Sequence, residues 1–343
     1  MKRLILALLM IPLWVSCIPQ TPVDNDPKAN FEALWSIINE RYCYLEEKDV
    51  DWDSVHDRYS KLIDSGKYND NFALFYLMNR MLNELKDGHV NLISSFDIGR
   101  YDAWDDDTKG LNVYARRKYL GPNPLISGGM RYNVLQLKDK TTIGYVVYSS
   151  FSNSLGDMNF ILKLFENCSA IILDVRGNGG GLATGAEKLV SYFIDERKLV
   201  GYTTYKLSAQ RNHFSDPKPL YVTPNEGPRW TKKPLIILQD QGCYSSCNDF
   251  LSKIRVAPNA ITIGLRSGGG GGMPASSELP NGWRVRYSAV KSLDFNKKSI
   301  EEGIDPTIKQ SLPGYDVDPG ADDLIFLRAI HYIISNSNKE SKS

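Results

Sequence analysis

The spacing of apolar residues in the first third of the chain is that of amphipathic helices. From residue 29 onwards, apolar side chains such as Phe31, Leu34 and Ile38 recur every three or four positions, which places them on one face of a helix. Two further segments with this spacing follow, and Asp51 stands ahead of the first of them as a candidate N-cap. The pattern predicts a small helical bundle over residues 29–90.

The second half of the chain has a different pattern, in which short apolar runs alternate with helical segments. The runs IGYVVYSSF, AIILDV, KPLIIL and NAITIGL have the length and composition of buried strands. Strands that alternate with helices are typical of an α/β fold with a mostly parallel sheet, which we predict over residues 141–337. Residues 91–140 are predicted to be a mixture of strand and loop, and residues 338–343 a disordered tail.

The first 17 residues, MKRLILALLMIPLWVSC, combine a basic start with a short apolar stretch that ends at Ser16 and Cys17. Such a run is too short to span a bilayer as a stable helix and is typical of a signal peptide. A cysteine directly after it resembles the bacterial lipoprotein type, in which Cys17 carries the lipid; simple secretion is the alternative. We expect residues 18–28 to be a tether, and the protein to be anchored by lipid to a membrane of a bacterial cell envelope.

The bulk composition excludes several classes of partner. Of the 343 residues, 42% are hydrophobic and 24% are charged, and the formal net charge is +1, with no basic stripe that would favour nucleic acid. After Cys17, the remaining cysteines are too few for a disulfide framework in a domain of this size. No group of His, Cys, Asp and Glu has the spacing of metal ligands, so we expect neither a metal nor a cofactor.

Two glycine-rich stretches lie where predicted strands end, which is where α/β sheets form ligand sites. In DVRGNGGG, the amides around Gly179 and Gly180 could point into a cavity ahead of the next helix; a plain tight turn is the alternative. In RSGGGGGMP, five consecutive glycines increase the conformational entropy that the chain loses on folding. We therefore expect that a ligand or another part of the protein needs the backbone here to be free of side chains. We predict that Gly269, Gly270 and Gly271 line a substrate groove; a surface hairpin is the alternative.

The stretch LQDQGCYSSCNDF has the context of a nucleophile elbow, with a buried strand, a turn and the start of a helix. A side chain at a helix N-terminus lies in positive potential near free amides, which favours an ionised nucleophile or a developing oxyanion. Ser245 occupies that place. A helix-capping role for Ser245, with Cys243 and Cys247 filling the core, is one alternative, and a cysteine nucleophile is another.

A serine nucleophile requires a base, and His89 is the candidate. It follows the helix-breaking Asp-Gly pair in LKDGHV and precedes a short apolar strand, a position typical of the edge of a cleft. The other histidines lie on a polar helix face, in a polar loop and in the last helix, where surface or packing roles are more common; they are His56, His213 and His331.

Three motifs, LKDGHV, ILDVRGNGGG and PLIILQDQGCYSSCNDF, occur in this order and together resemble the carboxyl-terminal processing (tail-specific) serine peptidase family, in particular its tricorn-like branch. The resemblance extends from about Phe31 to about Pro306. It implies a core of the ClpP/crotonase type, a peptide or protein substrate, and Ser245 as nucleophile. The tail-specific branch activates its serine with a lysine. That position falls on about Gly270 here, so the resemblance favours the histidine of the tricorn-like branch.

The resemblance also implies roles for the surrounding residues. His89 removes the serine proton, and a glutamate in SIEEGIDP, either Glu301 or Glu302, orients the imidazole. The oxyanion is held by the backbone N–H of Ser246 and by one N–H from the Gly179–Gly180 turn. A histidine base predicts a rate that rises with pH through roughly 6 to 7.

Many members of that family carry a PDZ domain between the helical region and the core. The stretch between His89 and Ile143 has room for barely half of one, so we expect no complete PDZ domain. Two other functions stay open on the sequence: a lipid-anchored peptide-binding protein that lost hydrolysis, and a hydrolase that uses Cys243 or Cys247. An acyl-CoA enzyme of the crotonase type is less favoured, because no basic cluster for the CoA phosphates is evident.

Overall fold

The computed structural model describes residues 24–101, 111–311 and 321–340. The predicted signal peptide, Cys17 and most of the predicted tether lie outside these ranges. Within them, no helix is both long enough and apolar enough to cross a membrane.

An aspartate caps each of the three helices of the N-terminal bundle. The side chains of Asp26, Asp51 and Asp70 each accept a backbone N–H from the first turn at 3.0 Å. The apolar faces of the helices form one buried cluster, which also includes Val285 and Tyr287 from the last third of the chain. The bundle helices are α1 (Pro27–Arg41), α2 (Trp52–Asp64) and α3 (Asn71–Asn83).

The remaining elements are strands interspersed with helices. In chain order, the strands of the described residues are β1 (Asn91–Ile93), β2 (Ile98–Arg100), β3 (Leu125–Ser127), β4 (Met130–Gln136), β5 (Thr142–Tyr148), β6 (Ala170–Asp174), β7 (Lys198–Tyr205), β8 (Lys218–Val222), β9 (Leu235–Gln239), β10 (Ala260–Gly264), β11 (Gly272–Glu278), β12 (Arg284–Leu293) and β13 (Ile308–Lys309). The helices outside the bundle are α4 (Val113–Leu120), α5 (Met158–Leu164), α6 (Ala183–Val190), α7 (Ser246–Lys253) and α8 (Leu324–Glu340).

A seven-stranded sheet with the order β13-β10-β9-β6-β5-β4-β3 forms the centre of the core. The strands from β13 to β5 are parallel, and β4 and β3 extend the sheet in antiparallel fashion. Ile171 and Leu173 of β6 share a buried cluster with α5, α6 and α7, whereas Ile172 shares one with α8. Burial of both faces explains the unbroken apolar runs. The structure confirms the predicted α/β fold with a mostly parallel core sheet.

A second sheet is the main feature that the sequence pattern does not predict. It has six strands, in the order β2-β1-β12-β7-β8 with β11 also on β12, and its pairings are antiparallel. Two elements also differ from the prediction. The segment 91–140 contains helix α4, and Asn112 caps this helix by accepting the N–H groups of Tyr114 and Ala115 at 3.0 Å. Helix α8 continues to Glu340, past the start of the predicted tail.

Candidate active site

Ser245 lies at a sharp turn between β9 and α7. Its backbone has φ 56° and ψ −122°, a conformation that non-glycine residues rarely adopt and that costs about 1–3 kcal/mol. The Ser245 N–H donates to the carbonyl oxygen of Gly269 (2.9 Å), and the Tyr244 N–H donates to that of Asn178 (3.0 Å), so two neighbouring loops hold the turn. Ser245 occupies the N-cap position of α7, but its hydroxyl makes no capping hydrogen bond. The hydroxyl is therefore available to another partner.

That partner is His89, whose Nε2 lies 3.0 Å from Ser245 Oγ. His89 is only 3% exposed, and its buried Nδ1 has no hydrogen-bond partner among the residues that the structure describes. For Nε2 to accept the serine proton, the ring proton must be on Nδ1. The structure thus brings together the two side chains that the sequence proposes as nucleophile and base, at the distance that proton transfer requires.

Asp87 and two tyrosines hold the histidine in place. Asp87 Oδ1 accepts the backbone N–H of His89 at 2.7 Å and the hydroxyl of Tyr244 at 3.2 Å. Its Oδ2 accepts the hydroxyl of Tyr42 at 2.8 Å. The Tyr244 ring packs on the imidazole, with centroids 4.9 Å apart. Asp87 is part of the LKDGHV motif, but the sequence does not indicate that it would position the histidine through the backbone.

The glycine loop after β6 lies directly against the Ser245 turn. A Cβ added to Gly180 would be 2.8 Å from Ser245 Cβ and 2.9 Å from Ser246 N, so only glycine permits this approach. The Gly180 N–H already donates to Asn178 Oδ1 at 3.0 Å. The N–H groups of Gly179 and Ser246 have no acceptor in the described part of the chain. Of the two glycines, Gly179 is therefore the one whose amide can serve an oxyanion.

Comparison with known proteins identifies the family. The profile of peptidase family S41 matches residues 142–310, and that of the tricorn protease C1 domain matches residues 24–83. The crystal structure of a candidate peptidase from Parabacteroides merdae ATCC 43184 is 43% identical in sequence and has a TM-score of 0.84, covering 90% of this chain and 97% of that chain. The chain belongs to peptidase family S41.

Other relatives of this S41 chain are more distant. Carboxy-terminal processing protease CtpA of Bacillus subtilis (strain 168) is 28% identical over 184 residues, which are 52% of this chain and 37% of CtpA. The S41 chain thus spans only slightly more than a third of the length of that curated relative. Mature CPAF has a TM-score of 0.70 at 12% identity, covering 91% of this chain and 98% of that chain, which shows a shared fold.

Glu301 and Glu302 of the S41 chain do not reach the imidazole. Glu301 is 4% exposed; its Oε2 accepts the N–H of Gly271 at 2.9 Å, and its Oε1 accepts Lys48 Nζ at 3.0 Å. Glu302 Oε1 also accepts Lys48 Nζ, at 3.2 Å, and its side chain is mostly exposed. Since a loop amide and a buried ammonium engage the Glu301 carboxylate, the expected orienting contact with the His89 ring is not formed.

Lys48 is a cation that the bundle contributes to the core of this S41 chain. Burial by itself would lower the pKa of Lys48, but Glu301 and Asp87 outweigh it and raise that pKa, so the ammonium stays charged. Burial and then Asp87 raise the pKa of Glu301 to about 8, against the attraction of Lys48. The three groups border a cavity of about 510 Å³ together with Tyr244. Lys48 does not follow from a motif in the sequence, whereas the cavity is also lined by Gly268 and Gly270 of the five-glycine stretch.

The five-glycine loop of the S41 chain is closely packed against its neighbours. Gly269, Gly270 and Gly271 are all buried. A Cβ on Gly269 would lie 1.9 Å from the carbonyl oxygen of Glu301, and one on Gly270 would lie 2.4 Å from Cζ of Tyr244. Tyr244 and the Glu301 segment therefore require the bare backbone, and of the three predicted glycines Gly270 also lines the cavity beside Glu301. A lysine side chain at position 270 has no room while the Tyr244 ring stays in place.

A buried ion cluster supports the loop that carries Gly179. Arg176 and Asp174 are both 0% exposed and are paired at 2.8 Å, and Asp323, just ahead of α8, binds the same guanidinium at 2.8 Å. Arg116 of α4 pairs with Asp174 at 3.0 Å. Burial would raise the pKa of Asp174, but the two arginines outweigh it and hold that pKa well below its usual range. The loop is thus tied to β6, α4 and α8 at once.

The cysteines beside Ser245 belong to the hydrophobic core of the S41 fold. Cys243 and Cys247 are 0% exposed and do not form a disulfide. Cys243 Sγ donates to the carbonyl oxygen of Val175 at 3.1 Å, and burial raises the pKa of its thiol well above the usual range. A buried, protonated thiol is a poor nucleophile. The geometry therefore favours Ser245 over a cysteine as the reactive residue.

Proposed function

We propose that this S41 chain is a serine peptidase that cleaves peptide bonds through an acyl-enzyme on Ser245, with His89 as general base. The observation that carries the proposal is the 3.0 Å contact between His89 Nε2 and Ser245 Oγ at a strained turn. Serine and histidine also meet at Ser208 and His213, 2.8 Å apart, but that pair is exposed on the surface. The relatives named as processing proteases support a peptide or protein as the substrate.

The mechanism begins with attack of Ser245 Oγ on the substrate carbonyl carbon while His89 Nε2 accepts the hydroxyl proton. The N–H groups of Ser246 and Gly179 stabilise the oxyanion, and each such donor contributes about 3 kcal/mol in a site of this kind. His89 then gives its proton to the leaving amine as the C–N bond breaks. Water, deprotonated by the same nitrogen, attacks the ester carbonyl, and collapse of the second intermediate releases the acid product and restores the serine hydroxyl.

The activity of this site should persist to unusually low pH. Burial lowers the pKa of His89 to about 4; Asp87 acts against this, and Arg286 and Lys48 add to it. Because the base must be neutral to accept a proton, kcat/KM should rise with pH through about 4 and be level near neutrality, instead of titrating at the usual histidine value of about 6.5. The measurement is ester hydrolysis across acid and neutral pH, with tryptophan fluorescence to exclude unfolding. A midpoint near the usual histidine value would contradict the burial of this base.

Active-site labelling tests the proposed function. A fluorophosphonate probe should modify the wild type at Ser245, located by peptide mass spectrometry, and His89→Ala should lose the modification. The matched control is His213→Ala, which removes the exposed histidine beside Ser208 and should be labelled like the wild type. A wild type that is never labelled would favour a non-catalytic peptide-binding protein. Loss of activity with iodoacetamide but not with the fluorophosphonate, and activity retained in Ser245→Ala, would favour a cysteine nucleophile.

We also propose that the protein is held at a membrane of a bacterial cell envelope by a lipid on Cys17. The basic start and the short apolar stretch that ends at this cysteine support the proposal. Bacteria expressing the full chain and fed labelled palmitate should incorporate it into the wild type but not into Cys17→Ala. A wild type that carries no palmitate and is found in the medium would show simple secretion instead.

A further inference from the structure

Three aromatic side chains form an exposed patch where the start of α3 meets the turn between β1 and β2. Phe72 and Tyr76 lie one helical turn apart on the same side of α3 and are 60% and 54% exposed. Phe96, in the β1–β2 turn, is 39% exposed, and its ring centroid lies 4.6 Å from that of Phe72. Apolar side chains that are exposed singly are ordinary, whereas contiguous ones are common where a protein contacts a partner or a membrane.

The aromatic patch rests on a buried aromatic layer that holds it in place. The Phe96 ring lies 5.2 Å from that of Phe75 and 6.1 Å from that of Trp283, between centroids. Phe75 and Trp283 are both buried and in turn contact each other at 5.4 Å. Because the layer below is already filled, Phe72, Tyr76 and Phe96 remain on the surface of the folded chain.

The turn that carries Trp283 also binds the beginning of the described chain. The N–H of Asp24 donates to the carbonyl oxygen of Pro280 at 2.9 Å. Asn30 connects the same two segments, since its Nδ2 donates to the carbonyl oxygen of Asp24 at 2.8 Å and its Oδ1 accepts the N–H of Asn281 at 2.9 Å. Asp24 is therefore fixed on the β11–β12 turn, beside the aromatic layer.

The length of chain between Cys17 and Asp24 limits how far this turn can be from a membrane. Seven residues separate the two positions, and they span at most about 25 Å when fully extended. A domain of this size has a diameter of about 50 Å, roughly twice that reach. With a lipid on Cys17, the face that contains the β11–β12 turn and the aromatic patch would thus be kept close to the membrane surface.

We propose that Phe72, Tyr76 and Phe96 insert into the interfacial layer of the membrane to which Cys17 tethers the protein. The inference rests on the lipid anchor proposed above. Aromatic rings are favoured at the boundary between headgroups and acyl chains. The carboxylates next to the patch, Asp70 and Asp97, accept backbone N–H groups of α3 and β2 and would not attract anionic headgroups. Burial of apolar surface, and not charge, would therefore hold the patch in the membrane.

The test places a fluorescent label on the aromatic patch of the full-length, lipid-bearing protein in vesicles of phosphatidylethanolamine and phosphatidylglycerol. The cysteines of the described residues are all buried, so a nitrobenzoxadiazole dye should attach selectively to the new thiol of Tyr76→Cys. Nitroxide groups on the lipid acyl chains should quench this dye, and iodide in the water should not. The matched control is Phe160→Cys, because Phe160 is also 54% exposed but belongs to α5, which packs on the core sheet. The dye at this position should respond to iodide alone.

Adding Phe72→Ser and Phe96→Ser should make the dye of Tyr76→Cys respond like the control, while thermal unfolding and fluorophosphonate labelling show a folded enzyme. If these variants unfold, the comparison of Tyr76→Cys with Phe160→Cys decides by itself. A dye at position 76 that iodide quenches and nitroxide does not overturns the inference. A dye that neither agent quenches shows that a second copy or another protein covers the patch, and it overturns the inference as well. A wild type that carries no palmitate and does not associate with vesicles refutes the lipid anchor, and the inference with it.

Discussion

Replacement of Ser245 by alanine is expected to lower kcat/KM for peptide hydrolysis by about 10⁴- to 10⁶-fold, because nucleophile and base act as a unit. His89→Ala should be similarly impaired, and the double variant should be little worse than either single variant. The residual rate would come from the N–H groups of Ser246 and Gly179, which still stabilise an oxyanion formed by attack of water.

The exposed pair of Ser208 and His213 supplies the control for this prediction. Ser208→Ala removes a hydroxyl that is 2.8 Å from a histidine nitrogen but lies outside the cleft, and it should retain full activity. Steady-state kinetics on a peptide that the wild type cleaves measures all of these variants. If Ser245→Ala kept more than about a tenth of the wild-type kcat/KM, the hydroxyl of Ser245 would not be the nucleophile, given the usual effect of its loss.

Replacement of Arg176 by methionine should have the largest effect on stability. The guanidinium is fully buried and neutralises Asp323 and, with Arg116, Asp174. Removing one partner of a buried ion pair leaves an uncompensated charge and destabilises a protein by about 3–5 kcal/mol. Urea unfolding should therefore show a free energy of unfolding that is lower by this amount. Because Arg176 also supports the loop of Gly179, the folded fraction should react more slowly with a fluorophosphonate.

Arg229→Met is the control for the charge change, because Arg229 is exposed and should be replaceable with little effect. Asp323→Asn is the milder partner variant, since an amide oxygen can still accept from Arg176 and from the N–H of Phe326, which Asp323 now caps at 3.0 Å. An Arg176→Met variant within about 0.5 kcal/mol of the wild type, the usual range of surface substitutions, would show that the cluster does not stabilise the fold.

The sequence predicts the core sheet because its strands are buried on both faces. Ile171, Ile172 and Leu173 lie in successive positions and face opposite layers, so the run is apolar throughout and easy to recognise. The second sheet is harder to recognise, because the apolar residues Val285 and Tyr287 of β12 alternate with polar ones. That alternation is a period-two pattern, and it could have identified β12.

The candidate site was predictable where a motif fixes the local backbone, and not where a side chain crosses between segments. Ser245 follows from a strand, turn and helix in sequence, and His89 from a helix break. Glu301 accepts a hydrogen bond from Lys48, which lies 253 positions away in the chain. Packing of the bundle brings the two residues together. Arg286 likewise reaches the site through the pairing of β12 with β1, which no local pattern specifies.

The contact between the Tyr244 ring and the backbone of Gly270 determines which side chains position 270 can carry. A lysine introduced at position 270 alone would collide with the ring. A small residue at position 244 alone would remove the ring that packs on His89. Any side chain at position 270 would therefore have to displace the Tyr244 ring from the imidazole of His89. The glycine loop and the surroundings of His89 are thus sterically coupled through one aromatic ring.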